Sequence, residues 1–236
     1  DPRNKRAHGP GWSEWELVRR AEPRFPGHRQ PRVPAWGYDS EAEPQAMARR
    51  IDAAAEHGVD AFLFDWYWYD DGPFLERGLD QGFLGAANNR RLKFALMWAN
   101  HDWENIHPYK RGTPRTCQYR GKVSAGTFDT ICDHVIARYF RHPSYLAFAG
   151  RPYFSIYELT KLLESFGSVA ATRVALDGFR RKTRAAGFAE LHLNAVVWGV
   201  PVLPGERTPA DPAGLIRDLG FDSVTSYVWV HHWSPG

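Results

Sequence analysis

Short continuous apolar runs alternate along this chain with longer segments whose apolar residues recur every three to four positions. The run VDAFLFDWYWYDD at 59–71 opens with the unbroken apolar stretch of a strand buried on both faces. RLKFALMWAN at 91–100, RPYFSIYEL at 151–159, LHLNAVVWG at 191–199 and DSVTSYVWV at 222–230 repeat the pattern, which predicts five strands. Helices are predicted at 41–57, 73–85, 127–141, 169–187 and 211–219. The punctuation agrees. Pro44 suits a first turn, Gly58 and Gly187 suit C-terminal stops, Pro143 ends the third helix, and Asp211 with Pro212 opens the last. Residues 1–40 read as a Pro- and Gly-rich loop holding one short helix at 13–20, with Ser13 and Glu16 as a capping box. Residues 101–126 read as a long loop.

Strict alternation of strand and helix implies an α/β fold with parallel strands. Two architectures satisfy it: an open doubly wound sheet with a nucleotide crevice, and a (β/α)8 TIM-type barrel. No GxGxxG or GxxxxGK[ST] follows any strand. Polar and aromatic residues instead gather at the C-terminal end of every strand, the catalytic face of a barrel. The barrel is therefore expected, with residues 1–236 as a single domain.

Composition sharpens the functional picture. The chain holds 10 Trp, 10 Tyr and 14 Phe. Aliphatic residues fill a core without an N–H to satisfy, so this many Trp points to walls of flat rings facing a flat ligand, such as a sugar. The strand ends supply them: Trp66 and Trp68, then Trp98 and Trp103, then Tyr157, Trp198 and Tyr227, with Asn100 and His101 as polar contacts. Carboxylates beside such rings suit glycoside cleavage, where one carboxyl protonates the leaving oxygen and a second group assists at the anomeric carbon. Glu158, last on its strand, is the leading candidate acid, followed by Asp65 and Asp102. Each has a plainer role open to it: a salt bridge for Glu158, a buried pairing for Asp65, a cap for Asp102. Asp70 and Asp71 precede Gly72 and Pro73 and read as turn residues.

Other classes are disfavoured. Net charge is +3 with no run of basic residues, so no nucleic-acid partner is expected. Cys117 and Cys132 form no CxxC and read as free thiols. His231 and His232 are adjacent and would point to opposite faces of a strand, and neither HxH nor HExxH occurs, so no metal and no cofactor are expected. GxSxG is absent too. No apolar run reaches the roughly 18–20 residues of a membrane span. The first residues, DPRNKRAHGPGW, lack the form of a signal peptide and start within a polar loop, so the compartment is left unassigned.

Five motifs occur in order: GWSEW (Gly11 to Trp15), FPGHRQP (Phe25 to Pro31), GVDAFLFDWYWYDD (Gly58 to Asp71), FALMWANHDW (Phe94 to Trp103) and AGRPYFSIY (Ala149 to Tyr157). Together they resemble the glycoside hydrolase family 99-like, or WbsX-like, domain. The resemblance implies a (β/α)8 barrel acting on polysaccharides, and Glu14 and Trp15 of the first motif join the candidate substrate contacts. The family's endo-α-mannosidases are retaining enzymes that use two Glu residues and a 1,2-anhydro-sugar intermediate. Their Glu pair, in a Trp-His-Glu context, is absent here, so mannoside specificity does not carry over. The family's initial strand and its late Asn-Glu-Trp-type motif are also missing. The chain is expected to hold strands two to six of an incomplete barrel. The expected activity is hydrolysis of a polysaccharide or oligosaccharide by carboxylate acid/base catalysis. A sugar-nucleotide-dependent glycosyltransferase and a non-catalytic carbohydrate-binding fragment are the alternatives.

Overall fold

The computed structural model describes residues 2–107, 112–197 and 211–227. Two short helices, α1 (Pro2–His8) and α2 (Trp15–Arg19), precede the longer α3 (Pro44–Glu56). Strand β1 (Ala61–Tyr69) turns back into the short β2 (Gly72–Phe74). A wide helical turn at Gly78–Phe83 then leads to β3 (Lys93–Trp98). The next connection carries a hairpin, β4 (Trp103–Glu104) with β5 (Cys117–Tyr119), and then α4 (Ala125–Val135). Strands β6 (Ala147–Phe148) and β7 (Arg151–Ile156) follow, then α5 (Leu159–Phe166) and α6 (Val169–Ala185). Last come β8 (His192–Val197), α7 (Pro212–Leu219) and β9 (Ser223–Ser226).

The five expected strands are present as β1, β3, β7, β8 and β9, all parallel and adjacent in chain order. The order never reverses, so the sheet is a barrel wall and not a doubly wound sheet. Among the described residues β9 does not pair with β1, so the wall is an open arc. The local signals explain its helices. Gly58, at φ +82°, ends α3, and Val59 N–H bonds back to the Ala54 carbonyl. Side chains of Ser124, Ser168 and Asp211 accept N–H groups of Thr127, Ala171 and Gly214, capping α4, α6 and α7.

The sequence misjudged several segments, among them 101–126, where a hairpin of β4 and β5 stands in the expected loop. Residues 73–85 hold a strand and a wide turn instead of one helix. Helix α5 was not expected; its amphipathic stretch is only eight residues long. Helix α1 is polar almost throughout and offers no period to read. Ser13 does not build a capping box: α2 begins after Glu14 without a side-chain cap, and Ser13 contributes only its carbonyl, to the Glu16 N–H.

Side-chain parity divides the sheet into two faces. On the outer face Trp66, Phe94, Leu96, Trp98, Phe154, Ile156 and Leu193 pack against Ile51 of α3, Phe128 and Ile131 of α4, Leu162 of α5, and Leu176 and Phe179 of α6. On the inner face the register aligns Asp65, Met97, Ser155, Asn194 and Ser223 in one row across all five strands. One step nearer the strands' C-terminal ends come Tyr67, Ala99, Tyr157, Val196 and Thr225. Met97, Tyr157 and Val196 form a small apolar cluster there.

Candidate functional site

The inner face carries polar chemistry in its middle. Asn194, fully buried, donates through Nδ2 to Ser155 Oγ and Thr225 Oγ1, both at 2.9 Å, and accepts from Ser223 Oγ at 2.9 Å. His192 Nε2 lies 2.8 Å from the same Ser223 hydroxyl. Three strands are thereby tied together by side chains as well as by backbone. A hollow of about 460 Å³ opens beside this network, lined by Leu63, Ala95, Phe148, Tyr153 and Val224 among others. It lies toward the N-terminal half of the strands, away from the rim.

The rim is built by inward residues of β1 and by the segment after β3. Asp65 faces the concave side, where solvent reaches it. The surrounding protein raises its carboxyl above the ordinary carboxylate value, and nearby His101 opposes that rise. Tyr67, two residues further along the same face, stays a neutral hydroxyl donor, because burial and then the Asp65 charge push its phenol well up. Its ring meets Trp103 edge-on at 5.5 Å and His101 edge-on at 5.8 Å. His101 also stacks on Trp103, with centroids 6.2 Å apart, and packs at 5.5 Å from Tyr157. Tyr227, exposed beyond β9, meets Tyr157 edge-on at 5.2 Å. From the N-terminal segment, Glu14 Oε1 comes within 3.8 Å of His107 Nε2, and that imidazole stacks on Trp103 at 5.6 Å. The rim therefore joins Asp65, Tyr67, His101, Trp103, Tyr157 and Tyr227, with Glu14 reaching it through His107.

Several expected site residues stand elsewhere. Trp98 is 0% exposed on the outer face, with Nε1 donating to the Trp68 carbonyl at 3.2 Å. It packs on Phe128, so its expected sugar-stacking role is replaced by packing. Trp66 and Trp68 share that parity and are buried beside His134. Trp15 donates to the Asp39 carbonyl and packs edge-on against Tyr38, both within the N-terminal segment. Trp198 lies outside the described residues, as do His231 and His232.

Glu158 and Asp102 have different employment from that expected. Glu158 is 4% exposed, and its Oε1 accepts the Thr160 N–H at 2.9 Å, which makes it the cap of α5. Its main chain is gripped by Asn100, which donates to the Glu158 carbonyl and accepts the Glu158 N–H, both at 2.8 Å. Asp102 accepts the Gly121 N–H at 2.7 Å through one oxygen and pairs with Lys161 Nζ at 3.1 Å through the other. Any Cβ at Gly121 would collide with the main chain of Asn100 and His101, so this loop lies flat on the end of β3. The two expected turn residues are turn residues. Asp70 accepts the Ser124 N–H at 2.8 Å, and Asp71 pairs with Arg3, whose guanidinium sits 4.8 Å from the Tyr119 ring centroid.

Sequence reasoning missed Tyr67 and His107. Parity would have found Tyr67, since an inward Asp65 requires Tyr67 inward and Trp66 outward. His107 had no such signal, because its position depends on the hairpin of β4 and β5. Cys117 and Cys132 are free thiols, as expected. No helix among the described residues is long and apolar enough to cross a membrane.

Wall and rim together define part of a parallel β/α barrel whose titratable and aromatic groups converge at the strands' C-terminal ends. The chain belongs to the Glycosyltransferase WbsX family, which it matches over residues 1–226. Two uncharacterised proteins named WxcX, from two strains of Xanthomonas campestris pv. campestris, are each 32% identical to it over 227 residues. That alignment spans 96% of this chain but 29% of those proteins. Among solved structures, a glycoside hydrolase family 99 endo-α-mannosidase from Bacteroides thetaiotaomicron, in complex with bis-tris-propane, matches with a TM-score of 0.50 and 14% identity. The match covers 83% of this chain and 49% of that one, and it is a likeness of fold.

Proposed function

We propose that this chain forms the substrate-facing wall of a carbohydrate-active enzyme that hydrolyses glycosidic bonds in a polysaccharide or oligosaccharide. One observation carries the reading: a carboxyl with a raised proton affinity, Asp65, stands on the inner face of β1 one step below Tyr67, whose ring meets His101 and Trp103. A glycosidase acid needs a raised proton affinity, and burial moves the Asp65 carboxyl in that direction. Ring faces and hydroxyls around it suit the C–H faces and hydroxyls of a sugar. In this reading Asp65 handles the proton, Trp103 and Tyr227 offer stacking surface, and Tyr67 donates a hydrogen bond. Glu158, Asn100 and Asp102 hold the rim in shape. Glu14 contributes a second carboxylate from the N-terminal segment.

The family's name supports a second reading, a glycosyltransferase. The two reactions differ in what they consume. Hydrolysis releases new reducing ends from an oligosaccharide with no nucleotide present. A sugar-nucleotide-dependent transferase makes no reducing ends and releases a nucleoside diphosphate. The test assays the full-length protein for both products on a panel of defined oligosaccharides, with and without sugar nucleotides. Reducing ends without nucleotide support the hydrolase. Nucleoside diphosphate release that depends on an acceptor glycan overturns it.

A further inference from the structure

We propose that His101 is the proton-accepting group of the rim, offering the lone pair of its Nε2 to the concave side of the sheet. His101 Nδ1 lies 2.9 Å from the Asp102 carbonyl oxygen. A carbonyl only accepts, so Nδ1 carries the hydrogen, and a neutral ring then bears its lone pair on Nε2. The acceptor is itself fixed. The Asp102 carboxylate is held by Lys161 and by the Gly121 N–H, and Gly121 lies against the His101 main chain. Three rings confine the imidazole: Trp103 stacked on it, Tyr157 tilted against it and Tyr67 edge-on.

The Nε2 side is open. The ring is half-exposed, and Nε2 has no protein partner among the described residues. Other candidate bases are engaged: Asp102 by Lys161 and Gly121, Glu158 by the α5 N-terminus, and His192 Nε2 by the Ser223 hydroxyl. Asp65 lies one step down the same inner face, below the Tyr67 ring that touches His101. Besides Asp65, the titratable groups that act on the adjoining Tyr67 are Tyr227 from beyond β9 and Glu14 from the N-terminal segment. His101 acts on the Asp65 carboxyl electrostatically, as its influence on that group's proton affinity indicates.

The chemical role rests on the hydrolase reading; the tautomer and the pairing do not. In cleavage, water gives a proton to Nε2 as its oxygen attacks the anomeric carbon. The bond from that carbon to the leaving oxygen breaks, and that oxygen takes the Asp65 proton. The imidazolium then releases its proton to solvent water and the Asp65 carboxylate takes one up from it, restoring both groups.

The experiment is a two-bond ¹H–¹⁵N NMR titration of the 236-residue chain labelled with ¹⁵N-histidine, compared with Asp65→Asn. We expect neutral His101 to be the Nδ1–H tautomer. We also expect the His101 ring resonances to shift in the variant, because His101 and Asp65 act on one another electrostatically. Unchanged resonances of the other histidines verify that the variant is folded. A neutral Nε2–H tautomer, or His101 ring resonances indifferent to Asp65, overturns the proposal. Failure of the hydrolase reading appears separately, as an absence of reducing-end release with the NMR result intact.

Discussion

The two faces of this one sheet follow opposite rules. The outer face is sealed by helices and carries Trp66, Trp98, Phe154 and Leu193 in one continuous core. The inner face holds a three-residue apolar cluster, a hydrogen-bonded row centred on Asn194, and the exposed Leu63. Residues one position apart on β1 thus have unrelated tasks. Trp66 fills space in the core, while Asp65 and Tyr67 face the concave side of the sheet. Abundance of Trp is therefore a poor guide to a sugar site, and strand parity is a better one.

The comparison is broken most severely by a substitution on the sealed face. Trp98→Ala removes a fully enclosed ring and orphans the Trp68 carbonyl, so a loss of about 3–5 kcal/mol is expected in chemical denaturation. Leu63→Ala on the exposed inner face should change stability by less than about 0.5 kcal/mol in the same assay. Equal costs would show that the faces are not distinct.

Asn100→Ala tests the hinge between them. It leaves the buried N–H and carbonyl of Glu158 without their side-chain partner, at a cost of about 1–3 kcal/mol. Glu158→Gln keeps a carbonyl oxygen to accept the Thr160 N–H and should cost less. A thermal melt of both variants ranks them.

The smallest effect is a pH dependence. Folding raises the Asp65 proton affinity, so the folded state holds that proton more tightly than the unfolded chain. Stability from this group is fully present below the ordinary carboxylate value and is lost as pH rises through the raised one. Asp65→Asn should therefore raise the melting temperature slightly at pH 7 and leave it unchanged at low pH. A variant that melts lower at pH 7 would contradict the assignment.

Much of the fold was legible. The five apolar runs gave five parallel strands, because a strand covered by crossover helices must be apolar along its length. Caps at Asp211 and stops at Gly58 were readable, since they depend on single residues. The site was less so. Trp66, Trp68 and Trp98 were grouped with Asp65 by nearness in sequence, although the pleat turns neighbours to opposite faces. Glu158 was placed on the open rim because it ends a strand, but the unforeseen α5 starts there and takes its carboxylate as a cap. Asp102 is met by Lys161 and Gly121 through tertiary packing alone, which no local pattern in the sequence reports.

The central claim is that the inner-face carboxyl, Asp65, does the chemistry while Glu158 supports the rim. The direct test measures kcat/KM for reducing-end release by the full-length protein, its Asp65→Asn variant and its Glu158→Gln variant. The account predicts a loss of about 10²–10⁴-fold for Asp65→Asn with the fold intact. For Glu158→Gln it predicts turnover within roughly tenfold of wild type, since a cap contributes mainly stability. Near-normal turnover in Asp65→Asn, with activity abolished in a stably folded Glu158→Gln, would contradict it.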